Sequence, residues 1–241
     1  MNFYRDLSKD VTVHCENPLL GVMDNFLSEE ECQTVINAAK PLLKRSKAKD
    51  SNNKIIESEQ RTSSSAHIYQ NKEVRSLIGA KVKTHFSFKE EELEALQVVN
   101  YENGQHFDVH HDCAQWDKVR GEQGDGFSAT PRLITILIYL NDINEGRDGH
   151  EVAEGMTLFP NMGYGVRPKR GRAVGWYNFD NNGILDLRTL HTGLSVTKGE
   201  KWAINVWAKD DNLDVSKDIT WPWIEKEFAK QKKIDKMELV L

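Results

Sequence analysis

No run of about 18 apolar residues, the length a membrane-crossing helix requires, occurs in this 241-residue chain. The opening Met1-Asn2-Phe3-Tyr4-Arg5-Asp6 lacks the apolar stretch of a secretory leader. The expectation is a soluble, intracellular (cytoplasmic) protein with no signal peptide, no transmembrane segment and no membrane partner. Cysteine is scarce. Cys15, Cys32 and Cys113 are odd in number and widely scattered, so they form neither a disulfide framework nor a CxxC metal pair, and they point to a reducing compartment. Positive charge is in deficit: 32 Lys and Arg face 37 Asp and Glu, for a formal net charge of −5 and a pI near 5.9. A basic face of the kind nucleic-acid binders present is not expected. Oligomeric state is not legible from the sequence.

Apolar and aromatic residues are not scarce. Hydrophobic residues make up 39 % of the chain, with six Trp, nine Phe and six Tyr, enough for a packed core and too many for a disordered segment. A chain of this length fits a single domain over residues 1–241. A helical support falls at about 22–94 and a strand-rich core at about 95–210.

The first clear element is a helix. Ser28 with Glu31 forms a capping box, flanked by Leu27 and Cys32 at the positions of a hydrophobic staple. Cys32, Val35, Ile36 and Ala39 then recur at the spacing of one buried helical face. A second helix is predicted from Asn71 through Val74, Leu77, Ile78 and Val82. Between them, residues 44–66 are polar and read as a long mobile loop. From Leu96 the pattern becomes that of strands: 96–101, 106–112 after the Asn103-Gly104 turn, 133–140, 156–159, 172–179 and 202–208. Residues 114–131 and 144–155 read as loops. The apolar positions Trp221, Trp223, Ile224 and Phe228 read as one side of a closing helix. Helices early and strands late predict an α+β fold with a sheet sandwich or barrel, without a βαβ rhythm or internal repeat.

Chemistry concentrates in the strands. Alternation puts His110 and Asp112 on one face, where an imidazole and a carboxylate can take adjacent positions on one metal. His191, after the Asp186-Leu187-Arg188 turn, is the best third ligand. Two histidines and one carboxylate leave three positions of an octahedral ion open, the arrangement of non-haem Fe(II) oxygenases. Parity alone does not choose the ligands, because His106-Phe107-Asp108 precedes His110-His111-Asp112 by four residues and shares its face. Downstream, Trp202, Ile204, Val206 and Ala208 form a wholly apolar strand face. The opposite face carries Lys201, Ala203, Asn205 and Trp207. A lysine inside a barrel costs several kcal/mol unless an anion accompanies it, and the carboxylate of a bound acid would serve.

These residues sit in a recognisable pattern. The run Tyr101-Glu102-Asn103-Gly104-Gln105-His106-Phe107-Asp108-Val109-His110-His111-Asp112 resembles the YxxGQxFxxHxD segment of the prolyl 4-hydroxylase family. The resemblance continues through Arg132-Leu133-Ile134-Thr135, Gly155-Met156-Thr157-Leu158-Phe159-Pro160, Leu190-His191-Thr192-Gly193 and Gly199-Glu200-Lys201-Trp202. Phe26-Leu27-Ser28 and Arg61-Thr62-Ser63 look like the family's N-terminal helix start and substrate-loop region. The resemblance implies a double-stranded β-helix (a jelly-roll or cupin-like barrel) buttressed by N-terminal helices. It implies a 2-oxoglutarate- and Fe(II)-dependent dioxygenase of the procollagen-proline 4-dioxygenase type, consuming O2, releasing succinate and CO2, and using ascorbate as reductant. On this likeness His110, Asp112 and His191 are the iron ligands, while Lys201, Tyr101 and Thr157 hold the distal carboxylate of 2-oxoglutarate. Arg132, Trp207, Arg61 and Ser63 are implied to meet a proline-containing peptide or protein. Where the family often has Gly-Gly-Glu-Thr this chain has Glu154-Gly155-Met156-Thr157, preceded by a charged insertion at 147–153, a difference that bears on peptide choice. Two alternatives are the same chemistry on a free amino acid or another side chain, and a cupin-like module that binds metal without catalysis.

Overall fold

The computed structural model describes residues 4–49, 55–56, 59–113, 131–143, 154–209 and 238–240. In chain order the elements are β1 (Thr12–Glu16), β2 (Leu19–Met23), α1 (Glu29–Ala39), β3 (Lys44–Arg45), β4 (Ala48–Lys49), β5 (Ile55–Ile56), β6 (Ser64–Ile68) and α2 (Lys72–Phe86). There follow β7 (Leu96–Tyr101), β8 (Phe107–His110), β9 (Arg132–Tyr139), β10 (Thr157–Phe159), β11 (Tyr164–Val166), β12 (Ala173–Tyr177), β13 (His191–Gly193), β14 (Lys201–Lys209) and β15 (Glu238–Val240). An eight-stranded sheet runs β1-β2-β12-β9-β14-β7-β6-β3, and a five-stranded sheet runs β15-β11-β10-β13-β8. Strands β4 and β5 pair separately.

Period-two patterning explains why the large sheet sits between two apolar layers. On β14, Trp202, Ile204, Val206 and Ala208 join the cluster formed with the helices, which contains Cys32, Val35, Val74, Ile78, Val82 and Phe86. Its opposite face contributes Ala203 to a second cluster, with Val99, Tyr101, Leu137, Tyr139 and Trp176 of the large sheet and Phe159 and Val166 of the small one. The inner faces of the two sheets therefore share one core, which is the double-stranded β-helix arrangement. The predicted buttress is present: both helices pack on the outer face of the large sheet.

Helix α1 begins where its sequence directs. Ser28 accepts from the Glu31 N–H at 3.2 Å, and the Glu31 carboxylate accepts from the Ser28 N–H at 2.7 Å, a reciprocal cap worth about 1 kcal/mol. Asn71 caps α2 through the Val74 N–H. Gly175 on β12 lets α2 approach the sheet, because a Cβ there would lie 2.5 Å from the Phe86 ring.

Two expectations change. Residues 44–66, predicted as a loop, contain strands: β3 pairs with β6, and β6 runs antiparallel to β7 from Ser64↔Asn100 to Ile68↔Leu96. Ser64-Ser65-Ala66 has little strand propensity of its own, so the open edge of β7 imposes the conformation. The hairpin β1-β2 was not expected; it extends the sheet by pairing β2 with β12. The predicted loops at 114–131 and 144–155 lie almost wholly outside the described residues, and the tail with Trp221, Trp223, Ile224 and Phe228 lies entirely outside them. Among the described residues no helix is long and apolar enough to cross a membrane.

Candidate metal centre and co-substrate pocket

Strands β8 and β13 pair with His191 directly opposite His110. Asp112 follows β8 in the turn that leaves the sheet. The pairing gathers one ligand atom from each of His110, Asp112 and His191 within 4.8 Å of one another. His110 Nε2 lies 3.8 Å from Asp112 Oδ1, and His191 Nε2 lies 3.8 Å from Asp112 Oδ2. The competing pair is elsewhere: His106 contacts Asp108 at 3.3 Å, with side chains 35 % and 55 % exposed. Among the described residues, His110, Asp112 and His191 are the group that could hold a metal ion, and His106 and Asp108 lie outside it.

Each ligating group is oriented from behind. The Nδ1 of His110 faces the Asp108 carbonyl at 2.7 Å and that of His191 faces the Thr189 carbonyl at 3.0 Å. A carbonyl only accepts, so both rings carry their proton on Nδ1 and leave the Nε2 lone pair free for a metal. Asp112 Oδ2 accepts from Thr135 Oγ1 at 2.5 Å and from Trp207 Nε1 at 3.2 Å. Burial and the facing His191 push the His110 pKa well below the usual imidazole range. Burial acts to raise the Asp112 pKa, but His191, His110, Arg132 and the Thr135 hydroxyl overcome it and hold the carboxyl far below its usual range. A neutral imidazole beside an ionised carboxylate is the state metal binding needs. The donor set therefore fits a divalent iron with open coordination positions.

Beside this cluster, buried polar side chains gather between the sheets. Lys201 lies opposite Tyr101 in the β14–β7 register and is 3 % exposed. Its ammonium donates to the Gly155 carbonyl at 2.7 Å and lies 5.4 and 5.3 Å from the Tyr101 and Tyr139 rings. Among the described residues no carboxylate pairs with it, and burial pulls its pKa down to about 7. The hydroxyls of Thr157, on β10, and Tyr139 lie 2.8 Å apart, and the Tyr139 hydroxyl also donates to the Val166 carbonyl at 3.2 Å. Trp176 and Phe159 pack their rings 4.7 and 5.7 Å from His191. Among the described residues the Trp176 indole N–H has no partner.

The four residues implied to meet a substrate are placed differently from one another. Arg132 is gripped by Glu94 through two bonds of 3.0 Å and lies 3.6 Å over the Trp207 ring. Its Nη1 donates to the Asp112 carbonyl at 3.3 Å. Trp207 touches the ligand Asp112 itself. Arg61 packs 4.7 Å over Phe107 and donates to Gln97 at 2.9 Å. Ser63 is fully buried, its hydroxyl 2.9 Å from Ser46 and also bonded to Tyr101, so it steadies the tyrosine rather than facing a groove.

Sequence reasoning passed over Thr135 and Tyr139 as pocket residues. A signal existed, since they are polar and share one face of an otherwise apolar strand. Glu94 and Gln97 carried no such signal.

A model of the 2OG-Fe(II) oxygenase superfamily matches residues 96–209. Prolyl 4-hydroxylase 2 of Arabidopsis thaliana is 32 % identical over 212 residues, covering 82 % of this chain and 69 % of that protein. The chain belongs to the prolyl 4-hydroxylase family of this superfamily. A putative prolyl 4-hydroxylase of Acanthamoeba polyphaga mimivirus is 32 % identical over 191 residues, 78 % of this chain and 73 % of that one. In structure, the chain is similar to a viral collagen prolyl hydroxylase from Paramecium Bursaria Chlorella virus-1 solved as a 2OG complex. The TM-score is 0.59 at 28 % identity, with 79 % and 95 % of the two chains covered. The enzyme is thus a 2-oxoglutarate- and Fe(II)-dependent dioxygenase on a double-stranded β-helix.

Proposed function

We propose that the enzyme hydroxylates proline within a peptide or protein chain, with iron held by His110, Asp112 and His191 and 2-oxoglutarate anchored by Lys201, Tyr101 and Thr157. The observation that carries this reading is the buried Lys201 ammonium, which has no carboxylate partner among the described residues and lies near Tyr101 and Tyr139 of the inter-sheet core whose Phe159 and Trp176 pack on His191. A bare metal store has no use for such a cation, whereas a pocket for a dicarboxylate requires one.

When bound, Fe(II) with 2-oxoglutarate and O2 supplies the oxidising power that replaces C–H by C–OH, leaving succinate and CO2. The chain's own contribution is binding, orientation and exclusion of water. The Asp108 and Thr189 carbonyls hold both imidazoles with Nε2 facing inward. Thr135 and Trp207 occupy one carboxylate oxygen of Asp112 and fix its plane. Phe107 stacks on His110 with ring centroids 3.5 Å apart and shields that side of the cluster. Lys201 supplies the charge and Thr157 the hydroxyl donor for the distal carboxylate. On the outer side, the partly exposed Arg61 and Arg132, with the buried Trp207 beneath Arg132, offer donors and an aromatic backing suited to the carbonyls and rings of an extended polyproline II segment.

The test is mass spectrometry of a proline-rich peptide library after incubation with Fe(II), 2-oxoglutarate, O2 and ascorbate. One oxygen atom should be added on proline, with succinate formed in step. Modification only at residues other than proline would overturn the substrate assignment and leave the dioxygenase chemistry standing.

A further inference from the structure

The metal ligands of this enzyme come from two chain segments, the end of β8 with the turn after it and β13 with the short 3-10 turn Leu187–Thr189 that leads into it, and the β8–β13 ladder joins them on the sheet side. A second link, beyond the end of that ladder, is His111, the residue between His110 and Asp112. Its ring points away from the ligand cluster and is 3 % exposed. The Cys113 N–H donates to His111 Nδ1 at 3.1 Å, so the ring proton sits on Nε2. From there the N–H is shared between Thr189 Oγ1 at 3.0 Å and the Asp186 carbonyl at 3.2 Å. Thr189 Oγ1 also donates to the Asp186 carbonyl at 2.8 Å. Asp186 anchors the turn in turn: its carboxylate accepts from the Arg188 N–H at 2.9 Å and pairs with the Arg188 guanidinium at 2.5 Å.

The decisive contact is made by Thr189 itself. The carbonyl of Thr189, whose hydroxyl His111 grips, is the group that orients His191 through Nδ1. One histidine therefore fixes, on one side, the backbone bearing Asp112 and, on the other, the residue that aims His191.

We infer that His111 is a positioning residue, a clasp that presets the separation of Asp112 and His191 before metal arrives. This rests on the ligand assignment proposed above. A site whose ligands are held at binding distance by contacts behind them loses less freedom on loading, and partners of this kind typically carry about 10–100-fold in metal affinity. Among the described residues the ring's hydrogen bonds go to Cys113, Thr189 and Asp186 and none goes to Lys201, Tyr101 or Thr157, so it acts through the ligands.

The test is titration of the metal-free full chain with Mn(II), followed by loss of the free-ion electron paramagnetic resonance signal, alongside metal-free melting temperatures. His111→Phe keeps the ring volume and removes the hydrogen bonds to Cys113, Thr189 and Asp186; Thr189→Val removes one partner and keeps the backbone carbonyl. Each should weaken Mn(II) binding by about tenfold or more, and the double variant should be little worse than the weaker-binding single one, because both cut one link. A purely structural histidine would lower the melting temperature and leave Mn(II) affinity unchanged, which overturns the clasp. Additive losses in the double variant overturn it as well. Should His111→Phe not fold, Thr189→Val alone decides, since unaltered affinity there refutes the link. Asp112→Ala separates the two levels of argument. If it binds Mn(II) as the wild type does, the ligand assignment fails; if it does not, and the clasp variants bind normally, only the clasp fails.

Discussion

Replacing Lys201 by Met should stabilise the ligand-free protein while ruining its affinity for 2-oxoglutarate. The lysine pKa falls from 10.5 to about 7 on burial. At about 1.36 kcal/mol per unit, the folded state of the free protein carries a penalty of about 4 kcal/mol at pH 7, where the amine is half protonated. Methionine has similar length and no charge to desolvate. Against that gain, the Gly155 carbonyl loses its donor, which costs about 1–3 kcal/mol. The net expectation is about 1–3 kcal/mol of added stability, or roughly 2–12 °C in melting temperature for a chain of this size. The gain has a defined pH dependence. The unfolded lysine binds its proton up to about pH 10.5, so the wild type's penalty is full below pH 7 and fades as pH rises toward 10.5. The advantage of Lys201→Met should shrink over that window. With a dicarboxylate present the order reverses, because a charge-assisted contact of about 1.5–3 kcal/mol is lost and the KM for 2-oxoglutarate should rise by about 10–150-fold. Scanning calorimetry of the metal-free protein at pH 7 and pH 9.5, with KM from succinate release, reads both effects. A variant that melts below the wild type at pH 7, or that keeps its KM within about twofold, would refute the reasoning.

Asp112→Ala and His191→Ala should each abolish turnover and metal binding, whereas His106→Ala and Asp108→Ala should keep measurable activity; a reversed pattern in metal titrations would reassign the ligands. Thr135→Val removes the 2.5 Å donor to Asp112 and should weaken Fe(II) binding by about tenfold with the fold intact by circular dichroism. Gly175→Ala drives a methyl into the Phe86 ring and should cost about 1–3 kcal/mol in urea unfolding, with the KM for 2-oxoglutarate unchanged.

Local rules carried the sequence reading a long way. The capping box at Ser28 and the apolar alternation of β14 involve residues a few positions apart, and both stand in the structure as their patterns dictate. Features set by distant pairing were not legible. Nothing in Ser64-Ser65-Ala66 marks a strand; the open edge of β7 makes it one. The choice between His106-Asp108 and His110-Asp112 likewise depends on where β13 lands, since His191 opposite His110 completes only one of the two sets. The same limit hid His111, whose partners lie 75 and 78 positions away. It also hid the engagement of Arg132 by Glu94, a glutamate in a run of acidic residues that has no distinguishing mark in the sequence.

That engagement shapes the last expectation, that the enzyme acts on proline within a chain and not on the free amino acid. Free proline brings a secondary ammonium, which needs an anion close by if it is to leave water. Among the described residues, Glu94 is the acid paired with Arg132, and its two oxygens are already held by Arg132 at 3.0 Å and by Lys209 at 3.2 Å. Asp112 faces the metal cluster. In a peptide the proline nitrogen is a tertiary amide with no charge and no donor, so it asks for no such partner. The flanking carbonyls are acceptors, which Arg61 and the unused donors of Arg132 can serve. Peptide-bound proline should therefore be turned over with a kcat/KM at least about a hundredfold above that of free L-proline, since an unpaired ammonium costs about 3 kcal/mol or more. Trp207→Phe would keep the aromatic face and lose the N–H donated to Asp112. It should lower peptide hydroxylation and peptide-free 2-oxoglutarate decarboxylation together, whereas Arg61→Ala should lower only the former. Comparable kcat/KM values for free proline and a proline-containing peptide, measured by succinate formation under identical conditions, would refute a chain-reading site.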